Sequence, residues 1–163
     1  MSTIFISYRR DDSAAACGRI YERLATHFGR DTVFKDVDDL PYGVRFPDYL
    51  AEQLRGCRIE LVIIGRQWLT LTTPEGIRRL DIPGDFVRAE IEMGLHNGLV
   101  VVPVLVDNAS MPYADALPES IRELVEYNGA QVRNDPDFNP DMQRLIRQLE
   151  RWLGVPSAPT TPV

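Results

Sequence analysis

Gly84-Asp-Phe-Val-Arg-Ala-Glu-Ile-Glu-Met-Gly-Leu-His-Asn-Gly98 runs directly into Leu99-Val-Val-Val-Pro-Val-Leu-Val106, and this pair decides the fold. At about 100° per residue, Val87, Ile91, Gly94, Leu95 and Gly98 gather on one side of an amphipathic helix. Asp85 is placed to cap its start and Gly98 to stop it. The run that follows is apolar throughout, as a strand covered on both faces must be, with Pro103 marking an irregular or weakly paired point.

Working outward, Ile59-Glu-Leu-Val-Ile-Ile64 is a second buried strand, broken by Gly65, and Thr3-Ile-Phe-Ile-Ser7 is a third. A polar loop, Tyr8 to Ser13, leads into a helix capped by Asp12 or Ser13 that buries Ala16, Ile20, Leu24 and Phe28. Thr32-Val-Phe-Lys35 is a short strand nearer an edge, followed by the acidic turn Asp36-Val-Asp-Asp-Leu-Pro-Tyr-Gly43. A helix over 46–54 turns Phe46, Tyr49, Leu50 and Leu54 inward; 67–71 reads as a helical turn and 72–83 as loop. Downstream come a short helix over 117–127 and a terminal strand over 130–133. The last helix, begun by Asn139 or Asp141, buries Met142, Leu145, Leu149, Trp152 and Leu153. Strand and helix alternate five times, which calls for a parallel sheet with helices on both faces. In such folds ligands collect beyond the carboxyl ends of the strands, here the loops 8–13, 36–43 and 65–84 with the start of the 84–98 helix.

Composition narrows the chemistry. The 163 residues suffice for one domain with a full core, and a net charge of -6 without a basic block argues against nucleic acid or an anionic membrane as partner. With no signal-peptide pattern and no apolar run of about 20 residues, a cytoplasmic protein is expected. Cys17 and Cys57 read as packed, reduced thiols, and His27 and His96 as surface residues without metal-ligand company. The acidic turn fails as a calcium loop, because Pro41 and Pro47 stand where Gly and Glu are required. The glycine-rich nucleotide fingerprints and the Gly-x-Ser-x-Gly elbow are absent from the sequence.

Two glutamates remain on the 84–98 helix. Glu92 projects away from the apolar stripe into solvent, whereas Glu90 lies on its border, in line with Phe86 and Asn97. Two readings of Glu90 are open: a border carboxylate that pairs with a nearby Arg, or an acid held at a cleft beside an aromatic ring.

The ordered set Ile4-Phe-Ile-Ser-Tyr-Arg-Arg10, Val33-Phe-Lys-Asp36 with Gly43 and Phe46, Ile63-Ile-Gly-Arg-Gln-Trp68, Asp85-Phe-Val-Arg-Ala-Glu-Ile91, Val102-Pro-Val-Leu105 and Leu117-Pro118 resembles the Toll/interleukin-1 receptor (TIR) domain family, in its bacterial-type, NAD-cleaving branch. The resemblance covers residues 3 to about 153, so that 1–153 is expected to be one TIR domain and the Pro/Thr-rich 154–163 the start of an interdomain linker. It implies a flavodoxin-like three-layer α/β sandwich with a five-stranded parallel sheet in the order 2-1-3-4-5.

The resemblance further implies cleavage of NAD at the nicotinamide–ribose bond, with NAD as substrate and no cofactor or metal. Glu90 matches the catalytic glutamate of a Trp-x-x-x-Glu motif, in which Phe86 replaces the Trp and so loses an indole N–H. Tyr8, Arg9, Arg10, Asp36, Trp68 and Phe86 are the implied substrate contacts, with ion pairing as the alternative for the arginines and packing for Trp68. Asp38, Asp39, Pro41, Tyr42 and Gly43 fall in the loop by which TIR domains meet one another, implying homo-oligomers when active in defence signalling. A non-enzymatic adaptor module and a nucleotide N-glycosidase of related fold are the competing functions.

Overall fold

Apolar runs separated by amphipathic stretches require crossover connections, and the computed structural model, which describes residues 3–35 and 42–154, has them throughout. In chain order the main elements are β1 (Ile4–Ser7), α1 (Arg10–Phe28), β2 (Val33–Lys35), α2 (Phe46–Leu54), β3 (Ile59–Ile64), α3 (Phe86–His96), β4 (Val100–Val106), β5 (Ala130–Val132) and α4 (Phe138–Leu153). All strand pairs are parallel, in the order β2-β1-β3-β4-β5, the flavodoxin-like arrangement expected from the sequence. The chain leaves β1 for β2 on one side and returns to β3 on the other, so the switch point lies at the carboxyl end of β1.

Strand alternation divides the core in two. Ile4, Ile6, Ile59, Leu61 and Ile63 pack with Cys17, Ile20 and Leu24 of α1 and with Met142, Leu145 and Leu149 of α4. On the opposite face Phe5 packs with Leu50 and Leu54 of α2, and Val62 and Ile64 with Val87 and Ile91 of α3. One position breaks the pattern: Glu60 of β3, in register with Phe5 and Val101, has no exposed surface.

Several local expectations are refined. Asp12 does not cap α1; its carboxylate accepts from the backbone N–H of Gly65 (2.9 Å) and Gln67 (2.7 Å), tying the loop after β3 to the start of α1. The helix begins at Arg10 and breaks its dihedrals at Ser13, whose buried hydroxyl finds no hydrogen-bond partner among the described residues. Pro103 pairs in register with Val62, and the β5 ladder begins only at Val104, so the irregularity falls on the outer side of β4. Trp152, expected inside, is half exposed, whereas Leu153 next to it packs against the core. Cys17 and Cys57 are buried and outside any disulfide, and His27, exposed as expected, reaches Glu150 of α4 at 3.1 Å. Among the described residues no helix is long and apolar enough to cross a membrane. The segment 155–163, with most of the expected linker, lies outside the described residues.

Candidate functional site

The site is built where β1 ends and α3 begins. Asp85 caps α3 by accepting from the Arg88 N–H at 3.0 Å, as its short carboxylate before a helical run predicts. The same carboxylate receives the Arg9 guanidinium in two bonds, Nη1 to Oδ1 at 3.1 Å and Nη2 to Oδ2 at 2.6 Å. This fork-on-fork pair is almost wholly buried and pins the first turn of α3 to the loop after β1.

With α3 held there, Glu90 turns toward the end of β1. It is only 4% exposed and accepts a hydrogen bond from Ser7 Oγ at 3.0 Å. The helix-border position therefore becomes a buried acid on the wall of a cavity of about 590 Å³, with Tyr8, Arg9, Arg10 and Phe86 also lining it. The Phe86 ring stacks on Phe46 with centroids 4.0 Å apart and stays half exposed, giving the cavity a firm aromatic edge.

The structure thus brings together five of the expected site residues: Tyr8, Arg9, Arg10, Phe86 and Glu90. It corrects two roles. Arg9 lines the cavity, but its fork is committed to Asp85, which makes it a positioning residue first. Trp68, assigned to the substrate site, is 1% exposed and packs in the core with Leu80, Val87 and Ile91. The indole packs on Val62 and Ile64 of the sheet and does not line the cavity, and the tie from Asp12 to Gly65 and Gln67 fixes the backbone just before it. Glu92, as read from helix phase, is on the outer side and meets Arg88 at 3.5 Å. Asp36, Asp38, Asp39 and Pro41 lie outside the described residues; Tyr42 next to them is fully exposed, and Gly43 takes a left-handed turn at φ +83°.

Three participants were not foreseen. Ser7 was read only as a strand end, although a hydroxyl closing an apolar strand at the switch point was a usable signal. Arg79 lines the cavity from a short 3-10 helix, Arg79–Asp81, inside the stretch read as loop. Glu60 lies beneath α3 against Gly94, where any side chain would collide with its carboxyl. Neither Glu60 oxygen has a hydrogen-bond partner among the described residues. Burial first, and then the neighbouring Glu90, push its proton affinity well above the usual carboxylate range. No cluster of His, Cys, Asp and Glu suited to a metal ion occurs among the described residues.

Comparison with known proteins bears on what such a cavity is for. A family model described as "TIR domain" matches residues 4–148. The chain is 24% identical over 153 residues to "NAD(+) hydrolase sarm1" of Drosophila melanogaster; the match covers 92% of this chain and spans only 10% of that protein's length. Among solved structures it is similar to the TIR domains of the activated Roq1 resistosome, with a TM-score of 0.64, 15% identity, and coverage of 91% of this chain and 99% of that one. The TIR domain of the Toll-related receptor TRR-2 from Hydra magnipapillata gives a TM-score of 0.62 and 14% identity, covering 93% of this chain and 99% of that one. At those identities the structural likeness concerns the fold alone.

Proposed function

The chain belongs to the TIR-domain family, and from that premise we propose that it is an NAD glycohydrolase whose reaction is carried by Glu90. The observation that supports this most is the setting of one carboxyl group: Glu90 is withdrawn from bulk water, oriented by Ser7, and faces a cavity edged by Phe86 and Tyr8. The relative named for NAD hydrolysis agrees with it.

The chemistry asks little of the protein. The nicotinamide C–N bond breaks with its electron pair moving onto the cationic pyridinium ring, so nicotinamide leaves neutral and needs no acid. What must be stabilised is the electron-poor ribosyl centre left behind, and a carboxylate beside it in a water-poor cavity does so strongly. Water then adds at that carbon and gives its proton to Glu90, yielding ADP-ribose; attack by an adenine nitrogen of the same molecule would give a cyclic isomer instead. Assembly with other TIR domains is part of the proposal, and the fully exposed Tyr42 beside Gly43 offers an anchor for it.

The test is to incubate the concentrated chain with NAD and measure free nicotinamide for the wild type, Glu90→Gln and Glu92→Gln. Glu90→Gln should lose activity by about a hundredfold or more with an unchanged thermal midpoint, while Glu92→Gln stays near wild type. Equal release from the Glu90 variant and the wild type would remove Glu90 from the reaction, and no release from the concentrated wild type would leave the chain an adaptor. Suppression by excess deoxynucleotide, with release of its base, would point to the N-glycosidase reading.

A further inference from the structure

Six charged side chains line the cavity: Arg9, Arg10, Asp11, Arg79, Asp85 and Glu90. Two of them are spent on architecture, since Arg9 and Asp85 hold each other in a buried bidentate pair. Arg79 is different. Its Nη2 donates to Asp11 Oδ2 at 2.9 Å, and both side chains are open to water, at 32% and 59% exposure. An ion pair of that kind is worth about 0–1 kcal/mol, so separating it costs little.

The backbone that carries Arg79 is nonetheless firmly set. Leu80, the next residue, has no exposed surface and packs in the core with Trp68 and Val87. The Arg79 N–H donates to the Leu71 carbonyl at 2.9 Å, its carbonyl accepts from Ile82, and Arg88 Nη1 donates to the Leu80 carbonyl at 3.2 Å. A guanidinium on a rigid support, whose one side-chain partner among the described residues is solvated, is ready to change partners with little loss of freedom.

We propose that Arg79 is the diphosphate-binding residue of this cavity, releasing Asp11 to take the bridging diphosphate of a dinucleotide. The inference rests on the reading of the cavity as a dinucleotide site and gives the anion contact to a residue on the loop between β3 and α3, since the Arg9 fork is committed to Asp85. Asp11 takes only one bond from the Arg79 fork, whereas a diphosphate oxygen pair can accept two parallel bonds from it and carries more charge. Asp11 then acts as a competitor: its charge holds Arg79 while the cavity is empty and repels the incoming anion. Arg79 and Asp11 should therefore have opposite effects on binding, which a purely structural ion pair would not produce.

Titration calorimetry of the full chain with ADP-ribose, which has the bridging diphosphate but no nicotinamide to lose, tests this. Arg79→Ala should weaken binding about tenfold, Arg79→Lys less, and Asp11→Asn should tighten it several-fold. Adenosine, without phosphate, should bind all four proteins alike. Unchanged affinity in Arg79→Ala, weakening by Asp11→Asn, or no ADP-ribose binding by the wild type would each overturn the proposal. Should Arg79→Ala fail to fold, the sign of the Asp11→Asn effect still decides. Opposed shifts in a chain that releases no nicotinamide would remove the reaction and keep the subsite.

Discussion

Two carboxyl groups meet the same face of α3 one helical turn apart and have opposite fates. Glu90 is carried by the helix toward the end of β1, where Ser7 donates to it and a cavity opens beside it. Glu60 rises from near the start of β3 against Gly94, with no hydrogen-bond donor to it among the described residues. Both are all but removed from solvent, at 4% and 0% exposure. Burial alone therefore does not place a carboxyl group at a cavity. In the sealed position it raises the proton affinity of Glu60, and burial first, then Glu60 nearby, pushes the Cys57 thiol up to about 11. A hydrogen-bond donor and an entrance are what distinguish Glu90 from Glu60.

The comparison can be broken from either end of α3. The largest effect is expected at the cavity end, where Arg9→Ala leaves the Asp85 carboxylate without its buried partner and should cost about 3–5 kcal/mol in urea unfolding. A loss below about 1 kcal/mol would mean that this clamp does not hold α3 over the cavity. At the sealed end, Gly94→Ala forces a methyl group into the Glu60 carboxyl and should cost about 1–3 kcal/mol. Adding Glu60→Ala should recover most of that loss, and strict additivity would show that the two residues do not touch in solution.

Glu60 itself should be a liability to the fold. Glu60→Leu removes a buried polar group without partners and should stabilise the chain by about 1–3 kcal/mol at neutral pH. The sign with pH follows from the direction of the shift. A carboxyl whose folded proton affinity is raised contributes fully below its ordinary unfolded value, and stability then falls as pH climbs toward the folded one. Wild-type stability should therefore decline over that window, and the Leu variant should lose this part of the slope; a wild type that gains stability there would mean an ionised, paired Glu60. Smallest of all, Glu92→Gln breaks only the part-exposed contact to Arg88 and should shift stability by less than about 0.5 kcal/mol.

Much of this was legible in the residues in order. The alternation of runs such as Ile59–Ile64 with amphipathic stretches specified a parallel sheet, because parallel neighbours need crossovers. Helix phase separated Glu90 from Glu92, and Asp85 was recognisable as a cap since local geometry alone satisfies the first turn. Trp68 shows where such reading stops. An aromatic residue after a strand has no phase to say whether it faces a cavity or the core; here it packs in the core, and a tether to Gln67 from Asp12, far earlier in the chain, fixes the backbone just before it.

Chain order by itself determined the layers and the parallel sheet, because those depend on periods of two and 3.6 residues that any short window contains, while the resemblance of Asp85–Ile91 to the TIR family singled out Glu90 as the candidate acid. Tertiary structure alone decided that Arg9 serves Asp85, that Arg79 reaches the cavity and that Glu60 lies sealed beneath Gly94. Each of these is a meeting of side chains far apart in sequence, and their partners are chosen by the docking of α3 on the sheet rather than by any local pattern.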